Sequence, residues 1–211
     1  MSEVSILVPV LGRPHRVAPF LKAMKATVPS STVLFIADPD DAEELDALEA
    51  AGAEFISPGG GYAAKIRAGV EATDENLIFT AADDLLPHDG WFEAAKGHLT
   101  DEIQVIGVND LRPRPNQQDA THFLMTREYA VAPCADGTPG PFYEGYIHNY
   151  CDRELVKTAQ HRGTYAFAWN AHVEHLHHLD GKAPLDSTYV KGKDSFHVDQ
   201  QAFRRRSRLW A

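Results

Sequence analysis

The sequence has only two cysteines, Cys134 and Cys151, in 211 residues. Two thiols so placed form neither a disulfide framework nor a metal-ligand spacing, so reduced side chains are expected. Long apolar runs are missing as well. No stretch approaches the roughly 20 residues that span a bilayer, and the N-terminus lacks the charged-then-apolar pattern of a signal peptide. The expectation is a cytoplasmic protein without a membrane span. Positive charge is scarce, with 20 Lys and Arg against 30 Asp and Glu and a formal charge of −10. That balance argues against general nucleic-acid binding, which rests on phosphate neutralisation, but not against a nucleotide held through a metal. No G-x-G-x-x-G follows the first apolar run, which removes the dinucleotide fingerprint, and no G-x-S-x-G nucleophile motif is present. Internal repeats and low-complexity segments are absent too.

The length fits one domain with a modest appendage, and the apolar share of 44% with 24% charged residues is ordinary for a globular chain. Val4 to Val10 reads as a buried strand, followed by a helix from Pro14 to Thr27 with Val17, Phe20, Leu21 and Met24 at helical spacing. Val33 to Ala37 is a second strand, and the acids of Asp38-Pro39-Asp40-Asp41 suit a turn into the helix of Leu45 and Leu48. A short strand at Glu54 to Ile56, a turn at Gly59-Gly60-Gly61 and a helix from Tyr62 to about Ala72 lead to the strand at Leu77. This alternation predicts a mostly parallel sheet covered on both faces. Further on, strands are expected at Gln104 to Val108, His122 to Thr126 and Tyr165 to Trp169, with a helix from Cys151 to Arg162 that stops at Gly163. Arg112 to Asn116 reads as a loop. Beyond Leu179 the polar chain reads as loop until a short helix around Gln200 to Leu209.

The strand Leu77-Ile78-Phe79-Thr80 runs through Ala81-Ala82 into Asp83-Asp84 and reaches Pro87. Adjacent carboxylates repel, and burying them costs several kcal/mol unless a cation or hydrogen bonds compensate. A Mg²⁺ or Mn²⁺ ion that also carries a phosphate is one such cation; a solvated Asp-Asp turn is the other reading. In open α/β sheets, ligands bind beyond the carboxyl ends of the strands, here Pro9 to Arg13, Asp38 to Asp41 and Asp83-Asp84. Asp38 then suits a base or ribose, Lys65 suits phosphate, and Asp83 and Asp84 suit the metal. Taken singly, Asp38 reads as a turn residue and Lys65 as a solvated one. His172, His175, His177 and His178 are the densest histidine cluster. On a strand, His175 and His177 would share a face and could complete a metal shell, with His178 on the opposite face.

The order of these motifs resembles family 2 glycosyltransferases of the GT-A fold. The resemblance rests on Val8-Pro9-Val10-Leu11-Gly12-Arg13-Pro14, Ile36 to Asp41, Gly60 to Gly69, and Ala81 to Trp91 with its acids before Pro87. It continues in Phe123 to Glu128, in Gly140-Pro141-Phe142-Tyr143-Glu144, in Cys151-Asp152-Arg153-Glu154-Leu155 and in Val173 to His178, covering residues 4 to about 180. Two positions depart from the family pattern: Ala81 or Ala82 stands where many relatives have a first acid, and Cys151 replaces the Glu of an "ED" helix start.

The resemblance implies an α/β Rossmann-like GT-A domain over residues 1–180, followed by a loop and short basic helix over 181–211. It implies sugar transfer from a nucleoside diphosphate donor to an acceptor hydroxyl by inverting displacement, with Mn²⁺ or Mg²⁺ as cofactor. Asp152 is then the general base, with Glu154 as alternate. Pro9, Arg13, Asp38, Asp40, Gly61, Lys65 and Asp83 would bind the nucleotide sugar, and Asp83, Asp84, His175 and His177 the metal. The rivals are a nucleotidyltransferase-like enzyme, a metal-dependent hydrolase, and a catalytically inactive nucleotide-binding domain. The basic tail Arg204-Arg205-Arg206-Ser207-Arg208 reads either as a solvated helix end or as a dock for an anionic acceptor.

Overall fold

The computed structural model describes residues 2–113 and 118–210. Arg114, Pro115 and Asn116 of the expected loop lie outside them. Strand β1 (Val4–Pro9), helix α1 (Pro14–Thr27), β2 (Thr32–Ile36), α2 (Ala42–Ala50), β3 (Glu54–Ile56), α3 (Tyr62–Glu71) and β4 (Leu77–Thr80) follow the expected alternation. Then come β5 (Leu85–Pro87), α4 (Trp91–Lys96), β6 (Val105–Asn109), β7 (Phe123–Thr126), α5 (Arg127–Val131), α6 (Cys151–His161), β8 (Tyr165–His175) and α7 (Ser187–Arg206). The strands form a sheet in the order β3-β2-β1-β4-β7-β6-β8-β5. Neighbours β3, β2, β1 and β4 are parallel, β6 and β8 are parallel, and β7 and β5 run against their partners. This is the mostly parallel mixed sheet that the alternation implied.

Side chains alternate across β1, so each face of the sheet gains its own core. Ile6 and Val8 pack with Val17, Phe20 and Met24 of α1 and with Trp91 and Phe92 of α4. Leu7 packs on the other face with Ile66 and Val70 of α3 and Leu155 and Ala159 of α6. Gly69 lets α3 approach, because a Cβ there would lie 2.7 Å from Ile36 Cδ1.

Helices α4 and α5 are not part of the sequence reading, and three further elements differ from it. Leu85–Pro87 forms a short strand against β8, where Pro87 sits at the end of the sheet edge and its missing N–H removes no ladder bond between neighbours. Strand β8 runs on past Trp169 to His175 through an irregularity: Val108 pairs with Ala168, and the next residue, Asn109, pairs with His172. Helix α7 begins thirteen residues before Gln200, at Ser187, with Asp186 accepting from Tyr189 N at 3.0 Å as its cap. Its fully buried residues, Gly192, Ser195 and Asp199, are small or polar, and beside them Phe196 and Phe203 pack on Tyr150 while remaining partly exposed, so no buried apolar stripe marks it.

Candidate active site

The carboxyl ends of β1, β2 and β4 open into a crevice of about 660 Å³. The β1–α1 loop forms one lip. Gly12 takes a positive φ of 63° and donates its N–H to Asp41 Oδ2 at 2.8 Å. The Arg13 N–H donates to buried Glu44 Oε2 of α2 at 2.7 Å. With its backbone so held, Arg13 sends its guanidinium under the floor of the crevice, where Nη1 lies 2.9 Å from Asp83 Oδ1 and 3.1 Å from Asp84 Oδ2. The two adjacent carboxylates are therefore compensated by an arginine from the first loop. Asp186 adds a third carboxylate to the same guanidinium at 2.8 Å, and the Tyr189 ring covers it at 4.2 Å.

Asp84 is the most heavily engaged of these groups. It accepts from the Tyr189 hydroxyl at 2.7 Å, and its Oδ1 lies 3.2 Å from His175 Nε2 without a well-aligned hydrogen bond. His175 Nδ1 faces Asp110 Oδ2 at 3.9 Å. Burial works against charge on Asp84, yet His175, Tyr189 and Arg13 outweigh it and hold the carboxyl well below the usual range. Burial, then the neighbouring Asp84 charge, pushes Asp83 the other way, up to about 7 against the pull of Arg13. Burial lowers the His175 pKa, but Asp110 and Asp84 raise it by more. The His177 pKa is pushed down to about 4 by burial and by Arg112 and the neighbouring imidazoles.

A divalent ion fits this corner in one particular way. Cis ligands of an octahedral ion with bonds of about 2.1 Å stand about 3 Å apart, and Asp84 Oδ1 and His175 Nε2 are 3.2 Å apart. Among the described residues, no group of three or more His, Cys, Asp or Glu side chains is arranged to enclose a metal. The corner therefore suits an ion that brings its remaining ligands as phosphate and water, and Asp83, turned to Arg13, is the weaker donor. A metal held through His175 Nε2 requires that nitrogen to be free of a proton.

Of the residues singled out in the sequence, Pro9, Arg13, Asp38, Gly61, Lys65, Asp83, Asp84, Asp152, His175 and His177 all line the crevice. Lys65 is buried, donates to Val10 O at 3.1 Å and pairs with Asp38 Oδ1 at 3.1 Å. Asp152 stands half-buried in the first turn of α6. Four expectations need correction. Asp40 is exposed on its turn and does not line the crevice, because the chain turns Asp38 inward instead. Glu154 lies one helical step away from the crevice, 3% exposed, and is gripped by Arg206 at 2.7 and 2.6 Å and by the Tyr146 hydroxyl at 2.6 Å. Held by these three hydrogen bonds and outside the crevice lining, this carboxylate is turned away from where an acceptor would sit. His177 is not a strand neighbour of His175. Strand β8 ends at His175, and His177 caps a short 3₁₀ helix, with Nδ1 accepting from Leu179 N at 3.2 Å, although the two rings still meet at 5.1 Å. His178 is not turned away either, since its ring packs on Tyr189 at 4.3 Å.

Sequence reasoning missed Asp186 and Tyr189, which come from a segment read as loop. The one available signal was Asp186 after Pro184, an N-cap residue that opens a helix. The arginine tail divides: Arg204, Arg205 and Arg208 are exposed, while Arg206 turns inward to Glu154 and Asp136.

No protein-family model matches the chain, and no curated protein matches it in sequence. Solved structures do match. Glucosyl-3-phosphoglycerate synthase from Mycobacterium tuberculosis, in complex with Mn²⁺, UDP-glucose and phosphoglyceric acid, superposes with a TM-score of 0.61 at 17% identity, over 85% of this chain and 74% of that one. The same enzyme with Mn²⁺, UDP and phosphoglyceric acid gives 0.63 at 16% identity, over 92% and 76%. A further mycobacterial protein of known structure gives 0.64 at 16% identity, over 87% and 69%. At such identities it is the path of the backbone that is shared, and on that ground this chain has the GT-A fold.

Proposed function

We propose that the chain is a glycosyltransferase that moves a sugar from a nucleoside diphosphate donor to an acceptor hydroxyl. The observation that carries this reading is the convergence of Arg13, Lys65, Asp84, Asp152 and His175 on one crevice at the strand ends. Glucosyl-3-phosphoglycerate synthase, which shares this fold, is solved with UDP-glucose and Mn²⁺, which supports a uridine nucleotide and a divalent ion as the first probes. Asp84 and His175 would hold the ion, Mn²⁺ or Mg²⁺, and when bound it supplies Lewis-acid stabilisation of the departing diphosphate.

The remaining work falls to side chains. Asp38 and Lys65 line the β2 side of the crevice, where Asp38 accepts from hydroxyls and Lys65 adds fixed positive charge. Asp152 accepts the acceptor's proton as its oxygen bonds to the anomeric carbon, while the bond from that carbon to the diphosphate oxygen breaks. One displacement of this kind inverts the anomeric centre. Unpaired, buried Cys134 and Cys151 agree with a reducing compartment such as the cytoplasm, and no described helix is long and apolar enough to cross a membrane.

Calorimetry with UDP, in Mn²⁺, in Mg²⁺ and in EDTA, tests binding, and UDP release from UDP-glucose tests chemistry. Metal-dependent binding with slow release is expected. Failure of several nucleoside diphosphates to bind with either metal would end the reading. A second reading, nucleotide binding without turnover, is favoured by Arg13 already neutralising the acidic pair. It predicts binding with no release from any donor.

A further inference from the structure

A second cavity, of about 280 Å³, lies beside the crevice. Its origin is the irregularity in β8. While β6 advances from Val108 to Asn109, β8 advances from Ala168 to His172, so Trp169, Asn170 and Ala171 bulge from the ladder. Bulges of this kind re-aim side chains and are common next to active sites. This one leaves the Trp169 ring 51% exposed, with Asn109 Nδ2 fixing the bulge through the Trp169 carbonyl at 2.9 Å. Phe167 meets Trp169 edge-on at 4.7 Å, and the two rings form one wall. Asp119, Arg112 and Asp110 line the same cavity and give it polar groups.

The two cavities share a lining residue. Arg112 lines both. Asp110 accepts from His175 N at 3.0 Å on the crevice side, and Asp119 lies 3.7 Å from Arg153, another crevice residue. Between Asp110 and Arg112, Leu111 is held at a φ of 59°, a left-handed conformation that a leucine rarely adopts. Asn109 Oδ1 accepts from Leu111 N, and Asp110 Oδ1 from Arg112 N, so the turn is locked. Its effect is to set Arg112 at the junction of the two cavities, and strain kept in this way is a mark of functional sites.

We infer that this second cavity binds an uncharged pyranose ring of a saccharide or glycoside acceptor. Aromatic rings, carboxylates and a guanidinium lining one cavity match a sugar: the ring's C–H face would lie on the indole, and its hydroxyls would meet groups that both accept and donate. The described guanidinium of this cavity, Arg112, is already paired with Asp180 at 2.6 Å, which disfavours an anionic acceptor. The word acceptor rests on the glycosyltransferase reading; the saccharide site does not.

The test is saturation-transfer NMR on the full chain with methyl glycosides of glucose, galactose, mannose, rhamnose and N-acetylglucosamine. At least one is expected to receive saturation, strongest at ring C–H protons. Trp169→Ala should weaken it at least tenfold, and Trp169→Phe should retain it. UDP affinity in Mn²⁺, measured on the same samples, should not change. Absence of transfer to every glycoside, equal binding by Trp169→Ala, or preferential capture of 3-phosphoglycerate at this cavity would each overturn the inference. Glycoside binding through Trp169 without UDP binding would sustain the saccharide site and remove the donor reading. UDP binding alone would do the reverse.

Discussion

The Tyr189 hydroxyl donates to Asp84 Oδ2 at 2.7 Å, joining the first turn of the last long helix to the turn between β4 and β5. The same turn brings Asp186 to Arg13, while the Thr188 hydroxyl donates to Leu11 O at 2.8 Å. Asp84 is thus shared between the fold and any ion it holds. Tyr189→Phe removes one hydrogen bond to a buried carboxylate, which costs about 1–3 kcal/mol of stability. It should also leave Asp84 freer, so UDP with Mn²⁺ should bind several-fold more tightly while the melting temperature falls. Calorimetry paired with thermal unfolding reads both signs. Weaker nucleotide binding in the variant would show that Tyr189 belongs to the bound state.

The histidines should rank. His175→Ala removes the imidazole 3.2 Å from Asp84 and should abolish the difference between Mn²⁺ and EDTA in UDP titrations. His177→Ala should have a smaller effect, because its Nδ1 is engaged with Leu179 N. His178→Ala should leave the metal dependence intact. Equal effects at all three positions would mean that ring packing, and not ligation, is being measured.

Asp152 and Glu154 should separate cleanly. Asp152→Asn should lower transfer by roughly 10²–10⁴-fold with UDP affinity nearly unchanged. Glu154→Gln, which leaves the Arg206 fork short of a partner, should cost about 3 kcal/mol of folding stability. Wild-type turnover in Asp152→Asn would reduce that residue to a helix acid.

The arginine tail divides in the same manner. Arg204, Arg205 and Arg208 replaced together by Gln should leave the melting temperature unchanged, because all three are exposed. Arg206→Gln should lower it markedly, because Arg206 holds Glu154 and Asp136 at once. Comparable stability loss in both variants would refute this division.

Arg206 also sets a pH dependence. Its hydrogen bond holds the Asp136 carboxyl well below the usual range, with burial a lesser opposing influence. For a depressed acid, the stabilisation is fully present above the unfolded value of about 3.9 and is lost as pH falls through the folded value. The docking of α7 should therefore be flat above about pH 5 and weaken below about pH 4. Hydrogen exchange of the α7 amides at graded pH measures this, and Asp136→Asn should remove most of the acid-sensitive part.

The strands β1, β2 and β4 and helices α1, α3 and α6 were legible in the chain itself, because runs such as Ile6-Leu7-Val8 and spacings such as Val17, Phe20 and Met24 carry their burial in their composition. The polar residues at those strand ends, Arg13, Asp38 and Asp84, were legible for the same reason: a buried strand that ends in charge marks the mouth of a sheet. Helix α7 was not. It buries Gly192, Ser195 and Asp199, and Asp199 accepts from the N–H groups of Ile147, His148 and Asn149, so hydrogen bonds and close approach hold it together with the partly exposed rings of Phe196 and Phe203 on Tyr150. A Cβ on Gly192 would lie 2.9 Å from His148. The pairing of Arg13 with Asp83 and Asp84, the withdrawal of Glu154 to Arg206 and the exposure of Trp169 at a bulge likewise join residues far apart in sequence. Local pattern reports which face of an element is buried; which charge meets which across the fold is decided only when the elements pack.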